Sequence, residues 1–154
     1  MTVLSAKQLP HHGPYVVFVD CPQRFDVAES GWPNRSIYES NIFFELADNL
    51  IGTLCSLTHS YIFFDPNESS QLDHPHEIRK LASEFLLWAS QLARCRPHDF
   101  YNELSIYIEP PTSPVCESLT ADIFQRDLIE TLLFIVSRLN EIAHQKRCLL
   151  IVGI

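Results

Sequence analysis

Glycine is scarce in this sequence, which has only four glycines in 154 residues, at positions 13, 31, 52 and 153. None of them forms a glycine-rich loop between a predicted strand and a predicted helix. Such loops bind phosphate groups through backbone N–H groups at a helix N-terminus. The sequence therefore excludes a phosphate-binding loop of the P-loop or dinucleotide-binding type.

Positive charge is also in short supply, with 11 Lys and Arg against 19 Asp and Glu and a formal net charge of −8. A field of this sign repels nucleic-acid backbones and anionic lipids. The sequence has no apolar run near the length of about 18 residues that spans a bilayer, and residues 1–14 lack the features of a secretory signal. We therefore expect a cytoplasmic protein that binds neither nucleic acid nor membranes directly.

Paired cysteine motifs are absent as well. The five cysteines are odd in number, more than twenty residues apart, and form no C-x-x-C pair: Cys21, Cys55, Cys95, Cys116 and Cys148. This pattern is typical of reduced, mostly buried thiols and argues against a disulfide framework or a thiolate zinc site. Cys21 follows a predicted strand, where a nucleophile can lie, but the adjacent Asp20 disfavours its thiolate.

Four short segments are rich in β-branched and aromatic residues and lack helical spacing: 15–20, 60–65, 103–109 and 148–154. Each is predicted to be a strand. Their apolar residues are consecutive, which is typical of strands covered on both faces, as in parallel sheets.

Three longer segments between these strands have apolar spacing near 3.6 residues. The first begins at a capping box formed by Ser36 and Glu39 and continues to Leu54. The second begins at Asp73 or His74 with Pro75 in its first turn, and the third runs from Thr120 to the sequence "HQKR".

The order β-α-β-α-β-α-β predicts one three-layer α/β domain over residues 15–154, after a loose N-terminal arm at 1–14. We expect its four-stranded sheet to be mostly parallel and Rossmann-like, with helices on both faces.

Three predicted strands end in a carboxylate followed within two residues by proline: Asp20, Asp65 and Glu109. In a parallel sheet these acids lie along one edge. Carboxylates so placed can bind Mg²⁺ or Mn²⁺, which would fit a hydrolase acting on a phosphoester or nucleotide, or a small-ligand sensor. The alternative is that they are solvated side chains at strand exits.

The predicted connection after the first strand is long, and long loops at this edge often bind ligands. It contains Arg24, Trp32 and Arg35 as candidate binding residues. Alternatively, Trp32 and Phe25 fold back over the core.

Two predicted helices have apolar residues around more of their circumference than packing on a sheet requires. Candidate interface residues are Phe43, Phe44 and Ile51 in the first and Phe134 in the third. Excess apolar surface usually marks an interface. The leading hypothesis is a non-catalytic, acidic protein-binding module without a cofactor: a subunit, adaptor or inhibitor-type partner that binds another protein or a second copy of itself.

Overall fold

A computed structural model describes residues 15–22, 39–47, 51–52, 54–56, 59, 69–97, 99 and 121–153. Its strands are β1 (Tyr15–Cys21), β2 (Ile42–Ala47), β3 (Ser69–Leu72) and β4 (Cys148–Gly153). Its two long α-helices are α1 (Pro75–Leu92) and α2 (Ala121–His144), and a 3₁₀ turn at Glu39–Asn41 precedes β2. Residues 51–52, 54–56, 97 and 99 are also helical. The predicted strands at 60–65 and 103–109 and the arm at 1–14 lie outside these residues.

The four strands form one sheet in the order β2-β1-β4-β3. Each neighbouring pair runs antiparallel. The prediction of a mostly parallel, Rossmann-like three-layer sheet is therefore wrong. A single helix between two strands returns the chain to the edge where it started, which gives parallel strands. Between β3 and β4 the chain instead passes through α1 and α2, which pack against each other, so no single crossover helix sets the direction of β4.

The sheet is buried on both faces. On one face Val16, Phe18, Leu149 and Ile151 belong to the large core that includes the buried residues of both helices. On the other face Val17, Val19, Cys21, Leu150 and Val152 form a second buried cluster. This double burial explains the consecutive apolar residues in β1 and β4, and it shows that such runs do not require a parallel sheet.

Strand β2 lies within the segment predicted to be the first helix, so that prediction is wrong for residues 42–47. Phe44 and Leu46 lie on the core side of the strand, two residues apart, as the strand period requires. The pairing passes from Phe18↔Phe44 to Val19↔Ile42, so Phe43 is an extra residue in a β-bulge. Its ring centroid lies 6.3 Å from that of Phe18.

The other two helix predictions are confirmed. Helix α1 has His74 as its N-cap and Pro75 in its first turn, where the missing N–H of proline leaves no hydrogen bond unmade. Near the start of α2, the Gln125 side-chain amide donates hydrogen bonds to the carbonyls of Leu92 and Cys95 at the end of α1. The two helices therefore form an antiparallel hairpin. None of the helices in the described ranges has both the length and the apolar character needed to cross a membrane.

Helix α2 ends in a turn that determines where β4 begins. Lys146 has a positive φ of 54°, and its N–H donates to the carbonyl of Ala143. The N–H of Arg147 donates to the carbonyl of Ile142 at 3.0 Å. This pair of hydrogen bonds around a left-handed residue is a Schellman motif, which commonly has glycine at the position of Lys146.

Candidate functional site

Asp20, one of the predicted metal ligands, lies near the end of β1 and is only 7% exposed. Its carboxylate oxygen Oδ2 lies 2.7 Å from Nη1 of Arg147 and 3.2 Å from Nη2 of Arg138. Arg138 comes from the last third of α2, and Arg147 comes from the turn before β4. A buried carboxylate requires such partners, because removing an unpaired carboxylate from water costs on the order of several kcal/mol.

Glu141 completes this group of charges. It forms an ion pair with Arg138 on the same helix and lies 3.9 Å from Nη2 of Arg147. We call Asp20, Arg138, Glu141 and Arg147 the ion-pair cluster. With two guanidinium groups and two carboxylates, its formal charge is zero. The guanidinium carbon of Arg138 also lies 5.7 Å from the centroid of the Phe43 ring, which is a favourable cation–π arrangement.

Two buried atoms of the ion-pair cluster lack hydrogen-bond partners among the described residues: Oδ1 of Asp20 and Nε of Arg147. The other carboxylate oxygen of Asp20, Oδ2, contacts both Arg138 and Arg147. Because Arg138 is on α2 and Arg147 immediately precedes β4, these contacts hold the end of β1 against both elements.

The remaining predicted site residues cannot be placed beside Asp20. Asp65, Glu109, Arg24, Trp32 and Arg35 lie outside the described residues. The shared acidic edge was inferred from parallel strands, and the sheet is antiparallel. Among the residues that the structure describes, no group of three or more His, Cys, Asp or Glu side chains could hold a metal ion. The metal site stays a prediction.

Cys21 is fully buried on the second face of the sheet. Burial raises the pKa of its thiol to about 12, and the neighbouring Cys148 adds to the rise. A thiol with such a pKa is almost entirely protonated at neutral pH, so it is a poor free nucleophile.

The predicted interface residues differ in exposure. Phe44 and Ile51 are buried in the main core, and Phe43 is half-buried against it. Phe134 is 39% exposed on α2. Of the four, Phe134 is therefore the most accessible to another molecule.

Three further apolar side chains are exposed on the helical hairpin: Leu86 at 49%, Leu87 at 42% and Leu133 at 44%. The Gln125 contacts align the start of α2 with the end of α1. At about 1.5 Å per residue, Leu86 and Leu87 then lie within about one helical turn of the height of Leu133 and Phe134. We call these four residues the hairpin face.

The surroundings of the hairpin face carry little charge. On α1, the exposed positions between Lys80 and Ala93 are Ser83, Leu86, Leu87 and Ser90. On α2, the exposed positions between Glu130 and Glu141 are Leu133, Phe134, Ser137 and Asn140. The charged residues within these two stretches, Glu84 and Arg138, are only partly exposed. Exposed apolar side chains with most charged residues beyond them are typical of the centre of a protein interface.

Sequence reasoning did not identify Arg138 and Arg147 as partners of Asp20. A signal was present, because an acid within an otherwise apolar strand needs a cation nearby. Arg147 immediately precedes the predicted last strand. The pairing also needs the antiparallel register that places Asp20 opposite Leu149, and the predicted topology did not include it.

No protein-family model, curated protein or solved structure matches the chain.

Proposed function

We propose that this protein is a non-catalytic, acidic protein-binding module that binds another protein through the hairpin face. The observations that support the proposal are the exposure of Leu86, Leu87, Leu133 and Phe134, each at least 39%, and their similar height on two helices that pack against each other. Single exposed leucines are ordinary on protein surfaces, but a grouped set is typical of interaction sites.

The net charge indicates the kind of partner. With a formal charge of −8, the protein attracts basic proteins and increases their rate of encounter at low salt. Two copies of the chain repel each other by the same field. The proposed partner is therefore a different protein, with an apolar patch surrounded by Lys and Arg side chains.

The test uses a double variant in which Leu87→Gln and Phe134→Gln remove apolar surface without breaking either helix. Glutamine is a good helix former and both positions are exposed. We expect the free energy of unfolding of the variant to lie within about 0.5 kcal/mol of that of the original protein. The test measures the amount of partner protein that is crosslinked to the chain in cells. The double variant should recover at least about tenfold less of it than the original chain, which corresponds to a loss of about 1.4 kcal/mol in the free energy of binding.

The matched control is Asn140→Gln, which introduces the same side chain at an exposed position of α2 beyond the hairpin face. It should retain the crosslinked proteins. Equal recovery with the double variant and the control would contradict the proposal. Light scattering measures whether the purified protein associates with itself. Self-association that the double variant abolishes would show that a second copy of the chain, and not a different protein, binds the hairpin face.

The divalent-metal hydrolase and the small-ligand sensor remain untested predictions, because Asp65 and Glu109 lie outside the described residues.

A further inference from the structure

Two cysteines face each other at one end of the central strand pair. In the antiparallel register of β1 and β4, Cys21 is paired with Cys148. Neither is in a disulfide. Both belong to the second face of the sheet, where Cys21 is buried and Cys148 packs against the same cluster.

The spacing of this pair suits a disulfide bond. Directly opposite residues of antiparallel strands have Cβ atoms about 4.5–5.5 Å apart and side chains on the same face. A disulfide needs Cβ atoms about 3.5–4.5 Å apart. Closing the bond therefore requires the two Cβ atoms to approach each other by about 1 Å at a strand end, without a change of register.

The two thiols differ in access to solvent. Cys21 is fully buried, whereas Cys148 is partly exposed, at the first residue of β4. A dissolved reagent therefore reaches Cys148 first. Cys21 needs to reach only the sulfur of Cys148, which lies beside it in the sheet.

We propose that Cys21 and Cys148 form a reversible cross-strand disulfide on reaction with a low-molecular-weight disulfide such as oxidised glutathione. The Cys148 thiolate attacks one sulfur of oxidised glutathione and expels a glutathione thiolate, which leaves a mixed disulfide on Cys148. Cys21 then loses its proton to solvent and attacks the Cys148 sulfur. This second step expels the other glutathione thiolate.

The overall step is balanced. Two protein thiols lose two electrons and two protons, and one oxidised glutathione becomes two reduced glutathione molecules. The second step is slow at neutral pH because little Cys21 is thiolate, and it accelerates as the pH rises. Within a reducing compartment the dithiol form predominates, and the bond forms when the glutathione pool becomes oxidised.

The test incubates the folded, full-length protein with oxidised glutathione, blocks the remaining thiols by alkylation at acid pH, and maps peptides without reduction. We expect a peptide pair joined through Cys21 and Cys148, preceded in time by a glutathione adduct on Cys148. Dithiothreitol should remove the cross-link. The cross-link should persist in a control protein with Cys55→Ser, Cys95→Ser and Cys116→Ser.

Cys148→Ser should abolish the cross-link, and it carries little folding risk because the side chain is partly exposed. In Cys21→Ala, the glutathione adduct on Cys148 should accumulate without further reaction. The cross-linked protein should unfold at a higher urea concentration than the reduced protein, because the bond closes a loop of more than a hundred residues.

Three outcomes would overturn the proposal. One is a glutathione adduct on Cys148 that persists in the original protein without cross-linking up to about pH 9, close to the ordinary pKa of a thiol. Another is a disulfide from either residue to a different cysteine of the folded protein. The third is a cross-linked protein that unfolds at a lower urea concentration than the reduced protein, because the native register then cannot accommodate the bond.

Discussion

Asp20 joins three parts of the fold through one carboxylate. The Oδ2 atom of Asp20, at the end of β1, contacts Arg138 in the last third of α2 and Arg147 in the turn before β4. The sequence pattern predicted that an acid ends this strand. It did not predict that the acid is buried, because burial depends on which cations the topology brings within reach.

Replacing Asp20 by asparagine should destabilise the protein. Asn keeps the shape of the side chain but removes the charge that two guanidinium groups share. Breaking a buried ion pair costs about 3–5 kcal/mol, and the partial exposure of both arginines, 31% and 25%, reduces the expected loss to about 2 kcal/mol. Urea unfolding measures this loss.

Glu141→Gln is the matched control for Asp20→Asn. Its side chain belongs to the same ion-pair cluster but is 43% exposed, so its loss should cost less than about 1 kcal/mol. If the two variants are equally stable, the buried pairing of Asp20 does not stabilise the fold.

The buried thiol of Cys21 should make stability depend on alkaline pH. Its pKa is raised from 9.0 to about 12 in the folded protein, by burial first and by Cys148 and Asp20 to a lesser degree. Between these values the unfolded chain releases the proton and the folded chain keeps it. The free energy of unfolding should therefore fall by up to about 1.4 kcal/mol per pH unit as the pH rises above about 9.

Comparison with Cys21→Ala isolates this effect from other groups that titrate at alkaline pH. The free energy of unfolding of the original protein should fall more steeply between about pH 9 and pH 11 than that of the variant. Below about pH 8, where the thiol is protonated in both states, the difference between the two proteins should be constant. Parallel curves over the whole range would show that Cys21 is not shielded as its burial implies.

Local sequence predicted the ends of the helices better than it predicted which strands pair. The proline after His74 and the cations after α2 predicted real helix boundaries. The segment at 42–47 was misread because "IFFELA" satisfies both periods: Phe44 and Leu46 suit a strand, and Ile42 and Leu46 suit a helix. Pairing with β1 selects the strand, and a local pattern does not contain that information.

Lys146→Gly should stabilise the end of α2. Lys146 has a φ of 54°, a conformation that costs a residue with a Cβ atom about 1 kcal/mol and costs glycine almost nothing. We expect a gain of up to about 1 kcal/mol in the free energy of unfolding, partly offset by the greater freedom of glycine in the unfolded chain. Thermal or urea unfolding measures the gain.

Gln145→Gly, one residue earlier, is the control with the opposite sign. The N–H of Gln145 donates to the carbonyl of Glu141 in a helical hydrogen bond, so glycine there should destabilise the protein by about 0.5–1 kcal/mol. A loss of stability in Lys146→Gly would mean that the Schellman turn does not govern this helix end.

Across the entire fold, the sequence predicted the two central strands and both long helices, and it predicted burial on both sides of the sheet. The predicted strand direction, mostly parallel, is wrong. The apolar run in β4 is compatible with either direction, and its pairing with β1 and β3 selects the antiparallel one. Of the hairpin face, only Phe134 was predicted as an interface residue. Helical spacing places Leu87 and Leu133 away from the apolar stripe, but their similar height on α1 and α2 is recognisable only when the packing of the two helices is known.

The strand order β2-β1-β4-β3 has a consequence for how the protein is made. The central pair joins β1 to β4, and the two strands are separated by more than a hundred residues. As the ribosome releases the chain from its N-terminal end, β1 can pair early with β2 but has one open edge until β4 emerges. During that interval the nascent chain presents an apolar strand edge, which makes it a suitable client for chaperones that bind extended segments.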